Sequence, residues 1–131
     1  MKQRYDLEVI LSATSHDQAD RLALFAYVNL GLIESLANGL ISATEAVSRF
    51  YFADNCLFVR KVLRDKTADR VMSHGVQLPD LFDVLPTEEA HREFLHELST
   101  MKALCLKLLE SRRQVEALRR IAEVSQLENA E

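Results

Sequence analysis

Only three glycines and two prolines interrupt 131 residues, and that scarcity of turn-formers limits the fold more than any other property of the chain. A chain built from β-hairpins needs a turn residue at nearly every reversal. Here apolar side chains recur at three- and four-residue steps, which is the spacing of helical faces. The expected fold is therefore all-α: a compact single-domain helical bundle of about five helices with a long C-terminal helix, residues 1–131 forming one domain. A chain of this length buries about two-thirds of its unfolded surface and needs no covalent staple. Apolar residues at 48% and charged residues at 27% exclude a disordered or collagen-like chain.

Punctuation places the helices. Tyr5–Leu11 alternates briefly, but no later segment offers a strand to pair with it, so a short helix or docked arm is expected. Ser15 or Asp17 can cap the next helix, which should run to about Asn38, stop at Gly39 and be the central helix. Ser42 and Glu45 form a capping box that opens a helix through Val47, Phe50, Leu57, Phe58 and Val62. Its end is rich in Arg60, Lys61, Arg64 and Lys66, which suits the negative pole of a helix. Thr67 starts a short helix ending near His74 and Gly75. Pro79 and Pro86 bracket a connector with apolar anchors, and Thr87 begins a helical tract to about Gln126. That tract carries a seam of Leu104, Leu108, Val115, Leu118 and Ala122, interrupted by Ser111 and Ser125; a partner helix could pack there, and a break near Ser111 and Arg112 is the competing reading.

Charge and composition narrow the function classes. A formal net charge of -4 gives no bulk attraction to phosphate backbones or anionic lipid. The longest nearly apolar run, Leu22–Ile33, is too short to span a bilayer, and the N-terminus turns acidic before a signal-peptide core could form, so a cytoplasmic protein is expected. Cys56 and Cys105 read as buried reduced thiols acting as small hydrophobes.

Motifs for chemistry are few. Glu88 with His91 and Glu93 with His96 repeat the Glu-x-x-His pair of metal-binding bundles. The two copies lie on one helix, however, and point about 140° apart, and Glu34 and Asp54 are the only obvious carboxylates for a facing helix. A solvated acidic helix start is the better reading, with no metal site and no cofactor. No Gly-rich phosphate loop, nucleophile elbow or His-Glu-x-x-His occurs, and His16, His74, His91 and His96 are scattered. The expectation is a non-enzymatic protein with no catalytic residues.

Charge is unevenly spread. Residues 76–100 hold Asp80, Asp83, Glu88, Glu89, Glu93 and Glu97 against Arg92 alone, whereas residues 45–75 carry six basic and four acidic side chains. The acidic stretch reads first as a helix start that favours acids beside a solvated loop, because first-turn acids are common; the other reading is a docking face for a basic partner, which Asp80 and Asp83 keep open because they precede the helix. Arg112, Arg113, Arg119 and Arg120 fall within about 120° of a helix, but Glu116 and Glu123 share that arc, so a salt-laced face is favoured over nucleic-acid binding.

Two stretches, Gly31–Ser42 running into Glu45-Ala46, and His74–Asp80 with Leu85-Pro86, resemble a family of small bacterial helical proteins, a domain of unknown function. The resemblance covers about residues 22–110 and implies shared fold without assigning a functional residue. Size, acidity and missing catalytic machinery are also similar to those of small bacterial immunity proteins, many of whose targets are nuclease toxins with basic clefts. The leading expectation is an immunity protein or antitoxin whose carboxylates occlude the basic active site of a toxin. Asp80, Leu81, Phe82, Asp83, Glu88, Glu89, Glu93 and Glu97 would contact that partner, with Leu81 and Phe82 as apolar anchors. No direct nucleic-acid or membrane contact is expected, and the chain would be a monomer or homodimer. The alternatives are a helical homodimeric adaptor joined through the 101–125 seam and a metal-binding bundle.

Overall fold

The computed structural model describes residues 3–14 and 16–129, the last three by backbone alone. All regular structure among them is helical: α1 (Leu7–Leu11), α2 (Gln18–Ala37), α3 (Ala43–Arg49), α4 (Ala53–Phe58) running into a π-helical turn (Val59–Leu63), α5 (Lys66–Gln77), α6 (Asp80–Val84) and α7 (Thr87–Asn129). Seven α-helices replace the five expected because the Ser42–Val62 segment is divided in two and the connector between the prolines is itself helical. No helix among the described residues is long and apolar enough to cross a membrane.

The N-terminal arm is a one-turn helix capped by Asp6, whose carboxylate accepts from the Glu8 and Val9 amides. Five residues cannot sustain a helix alone, and tertiary hydrogen bonds hold this one in place. Buried Asn55 accepts from the Leu7 amide at 3.0 Å and donates to the Tyr5 and Phe50 carbonyls at 2.9 and 2.7 Å. Leu7 and Leu11, one turn apart, then enter the core.

α2 is capped by Asp17 through the Ala19 amide, and Ser15, the other candidate, lies outside the described residues. At its far end Leu40 N–H bonds to Ser35 O and Gly39 N–H to Leu36 O, with Gly39 at φ +70°. This is the paired closure of a Schellman stop, which needs a residue tolerant of the left-handed region. Phe25, Ala26, Asn29, Ile33 and Leu36 are buried, as befits the central helix.

The helix expected to run unbroken from the capping box to Val62 is divided. The Ser42 and Glu45 box forms, with the Glu45 amide 3.1 Å from Ser42 Oγ, but α3 ends at Phe50 (φ −135°, ψ −50°). Phe50 and Tyr51 are neighbours, about 100° apart on a helix, yet both are fully buried with rings edge-to-face at 5.0 Å. Burying each ring is worth about 2–3 kcal/mol, against about 1 kcal/mol for each helical hydrogen bond lost. The break also leaves few orphans, because Asn55 Nδ2 takes the Phe50 carbonyl and the Cys56 thiol takes that of Tyr51. Downstream, the π turn rotates Val59 and Leu63 inward and closes on Arg64 in the left-handed region (φ 52°).

α5 continues past the expected stop at Gly75 to Gln77, capped by Asp65 through the Ala68 amide. Gly75 does not end the helix; it makes room. A Cβ there would sit 2.5–2.7 Å from three carbons of the Tyr51 ring. The connector between the prolines forms the short α6, and α7 passes through Ser111 and Arg112 without a break. Ala90, Phe94, Leu98, Met101, Leu104, Cys105 and Leu108 bury its inner face. Beyond Leu108 no described side chain of α7 is buried, so the helix extends past the core.

Candidate functional site

The α6–α7 junction brings part of the expected partner-binding set against a segment that sequence reasoning did not connect with it. Leu81 packs on the core. Phe82 stays 46% exposed while resting on Phe94, ring centroids 5.3 Å apart. Phe82 and Asp83 then form one wall of a groove of about 720 Å³. The opposite wall is the α2–α3 turn, including Leu36, Leu40 and Glu45, and His91 and Phe94 contribute from α7. The lining includes two carboxylates, Asp83 and Glu45, and neither lysine nor arginine. Glu45 is offset in part by Arg49, at 3.8 Å.

The acids of α7 do not form one patch. At about 100° per residue, Glu89, Glu93 and Glu97 fall within about 80° of one another, whereas Glu88 lies about 100° from the nearest of them. Glu88 is instead about 60° from His91, on that side of the helix. Glu97 turns toward α5, where its Oε2 lies 2.5 Å from His74 Nδ1 in a half-buried pair. Asp80, Asp83, Glu88, Glu89 and Glu93 remain exposed. The expected single face is thus divided: Asp83 and Glu45 line the groove, Glu88 lies on the His91 side of α7, and Glu89 and Glu93 form a separate stripe that runs toward the His74–Glu97 pair.

Leu40 is the contributor that the sequence reading overlooked. It is 80% exposed directly after the Gly39 stop. In a Schellman closure this position commonly packs on the residue five earlier, but here that residue is Ser35. An apolar side chain after such a stop, facing a serine, is the sequence signal of a surface leucine.

Other side-chain clusters offer less than this groove. His91 lines it, but among the described residues no group of three His, Cys, Asp or Glu side chains comes together to hold a metal. A second cavity of about 600 Å³ lies between α3–α4 and α5, lined by Tyr51, Cys56 and Met72 with Arg60 and Asp69 at one end. Those two charges already pair at 3.5 Å. Both cysteines are free, Cys105 buried and Cys56 only partly so, which corrects the expectation that both are buried. Burial pushes the Cys56 thiol up and that of Cys105 up to about 12, so neither is an activated nucleophile. The buried Tyr51 hydroxyl, its acidity suppressed by desolvation, donates to Asn29 Oδ1 at 2.8 Å while Asn29 donates to the Phe25 carbonyl, a structural network.

The arginine arc of α7 is laced with acids, as expected, but its main partners lie elsewhere. Arg112 meets Asp20 at 3.1 Å and Arg119 meets Asp17 at 2.7 Å, both at the start of α2, while Glu116 lies within 4 Å of both arginines. Arg119 beside Asp17 holds that carboxyl below its ordinary value, helped by the Ala19 amide, and its own pKa is raised in return. Comparison with protein families, curated proteins and solved structures finds no match to this chain.

Proposed function

We propose that this chain is a non-enzymatic protein-binding protein that docks a cationic partner at the α6–α7 end of the bundle. The observation that carries this reading is the groove bounded by Phe82, Asp83, Leu40 and Glu45, with apolar side chains such as Leu36 and Phe94, two carboxylates and no lysine or arginine in its lining. Interfaces draw affinity from apolar anchors seated in pockets and draw orientation and rate from charge. Phe82 and Leu40 supply the first, and Asp83, Glu88, Glu89 and Glu93 supply the second. Within this class the most concrete role is an immunity protein or antitoxin: the carboxylates take the place of phosphates in the basic active site of a toxin, possible targets including nucleases, and block it by occupancy.

Affinity capture from the source cell tests this with three baits: the wild type, Phe82→Asp, and Glu88→Lys with Glu89→Lys and Glu93→Lys. A basic protein retained by the wild type, lost with Phe82→Asp and bound more slowly by the triple variant is the expected result. The triple variant should also flatten the salt dependence of the association rate. A partner held equally by all three baits would remove the acidic end of the bundle from its binding site.

A further inference from the structure

We propose that the groove between the α2–α3 turn and α6 takes an arginine from a protruding segment of the partner, with apolar side chains flanking it. This deepens the docking reading above and rests on it. The two carboxylates come from opposite walls, Glu45 from α3 and Asp83 from α6. Arg49 offsets Glu45 weakly, at 3.8 Å between partly exposed side chains. His91 is the remaining titratable side chain of the lining. A cation entering the groove therefore meets two acids and no lysine or arginine.

Phe82 distinguishes arginine from lysine. Its half-exposed ring rests on Phe94 and belongs to the residue next to Asp83. A planar guanidinium stacks on such a ring and donates in its own plane to a carboxylate, whereas a lysine ammonium is a compact, strongly hydrated charge. Arginine is also the residue of choice for holding phosphate, which fits the inhibitory role proposed above. The occupant must reach inward as well. The carboxylates line a concavity of about 720 Å³ and not a flat face, so the arginine comes from a loop tip or a chain terminus. A free guanidinium compound would leave Leu40 and Phe82, both exposed on opposing walls, in water. In an extended segment, side chains two positions to either side share the arginine's face. Apolar groups there cover both walls and supply the affinity that charge alone does not.

An NMR titration of the isotope-labelled full chain tests this, with a synthetic peptide carrying Leu-Ser-Arg-Ser-Leu between glycine–serine flanks. The expected result is amide shift changes confined to residues 36–45 and 79–94, with a dissociation constant on the order of 0.1–1 mM. Lysine in place of the peptide's arginine should weaken binding about fivefold. Phe82→Ala should weaken it about tenfold, and Glu45→Gln with Asp83→Asn about fivefold. Glutamine preserves the capping box at Glu45, and unchanged shifts away from the groove in the free variants report an intact fold. Equal binding of the arginine and lysine peptides overturns the inference. So does binding untouched by Phe82→Ala, or agmatine, a free guanidinium amine, binding as tightly as the peptide. An arginine peptide that shifts nothing overturns it too. If a basic protein is still captured through Phe82, the docking reading then stands without it; if none is, both fall.

Discussion

Asn55 and Gly75 do more for this fold than their side-chain size suggests. Asn55 satisfies the Leu7 amide and the Tyr5 and Phe50 carbonyls from one buried amide group. Asn55→Ala strands all three, and each buried orphan costs about 1–3 kcal/mol. The expected outcome is a loss of about 3 kcal/mol in urea unfolding, with amide exchange at Leu7 rising first because the arm detaches before the core opens. Gly75 faces the Tyr51 ring so closely that an added methyl group must displace an aromatic fixed by Asn29. Gly75→Ala should therefore destabilise by about 1–3 kcal/mol, although a mid-helix glycine replaced by alanine ordinarily gains about 1 kcal/mol. A stabilised variant in thermal unfolding would show that the tyrosine yields. Thiol chemistry gives a third measurement, at the two cysteines. Cys105, buried with its pKa pushed up to about 12, should react with iodoacetamide far more slowly than the partly exposed Cys56 until the chain unfolds.

Among the helices, α7 is held in two different ways along its length. Up to Leu108 it is fixed by apolar burial; beyond that, the cross-helix ion pairs are to Asp17 and Asp20. The Asp17 carboxyl is held below its ordinary value of 3.8, so its ionised form is favoured when folded. The contribution is thus complete above the ordinary carboxylate value and is lost as pH falls through the lower folded value. Protection against hydrogen exchange over residues 112–126, taken relative to the intrinsic amide rate at each pH, should consequently fall below about pH 4 while protection over 90–108 does not change in step. Asp17→Asn should reproduce the neutral-to-acid difference at pH 7; equal exchange in the variant and the wild type would mean that the pair does not hold the helix. The division of the Ser42–Val62 segment teaches a related lesson. Its capping box and apolar spacing are real helical signals, and each half obeys them. What divides them is the simultaneous burial of two adjacent aromatics, visible in the sequence as Phe50-Tyr51 but compelling only once a core exists to receive both.

Taken as a whole, the molecule presents two unlike surfaces, an acid-rimmed groove at the α6–α7 end and an uncharged helix face beyond the core. Partner association at the first should weaken as ionic strength rises. Helical content, the caps at Asp17 and Ser42, the stop at Gly39 and the long last helix could all be read from the sequence, because each depends on hydrogen bonds and side-chain contacts within about five residues. The groove could not be read in that way. Leu40 and Phe82 stand 42 positions apart in the chain, and no local rule brings an α2–α3 turn against the start of α7. Likewise, the rotation of the last turns of α7 is set by Asp17 and Asp20 capturing two arginines roughly a hundred residues downstream. Periodicity gives the relative angles of side chains around a helix axis, but the rotation of that axis against the rest of the protein is fixed only by contacts between distant segments.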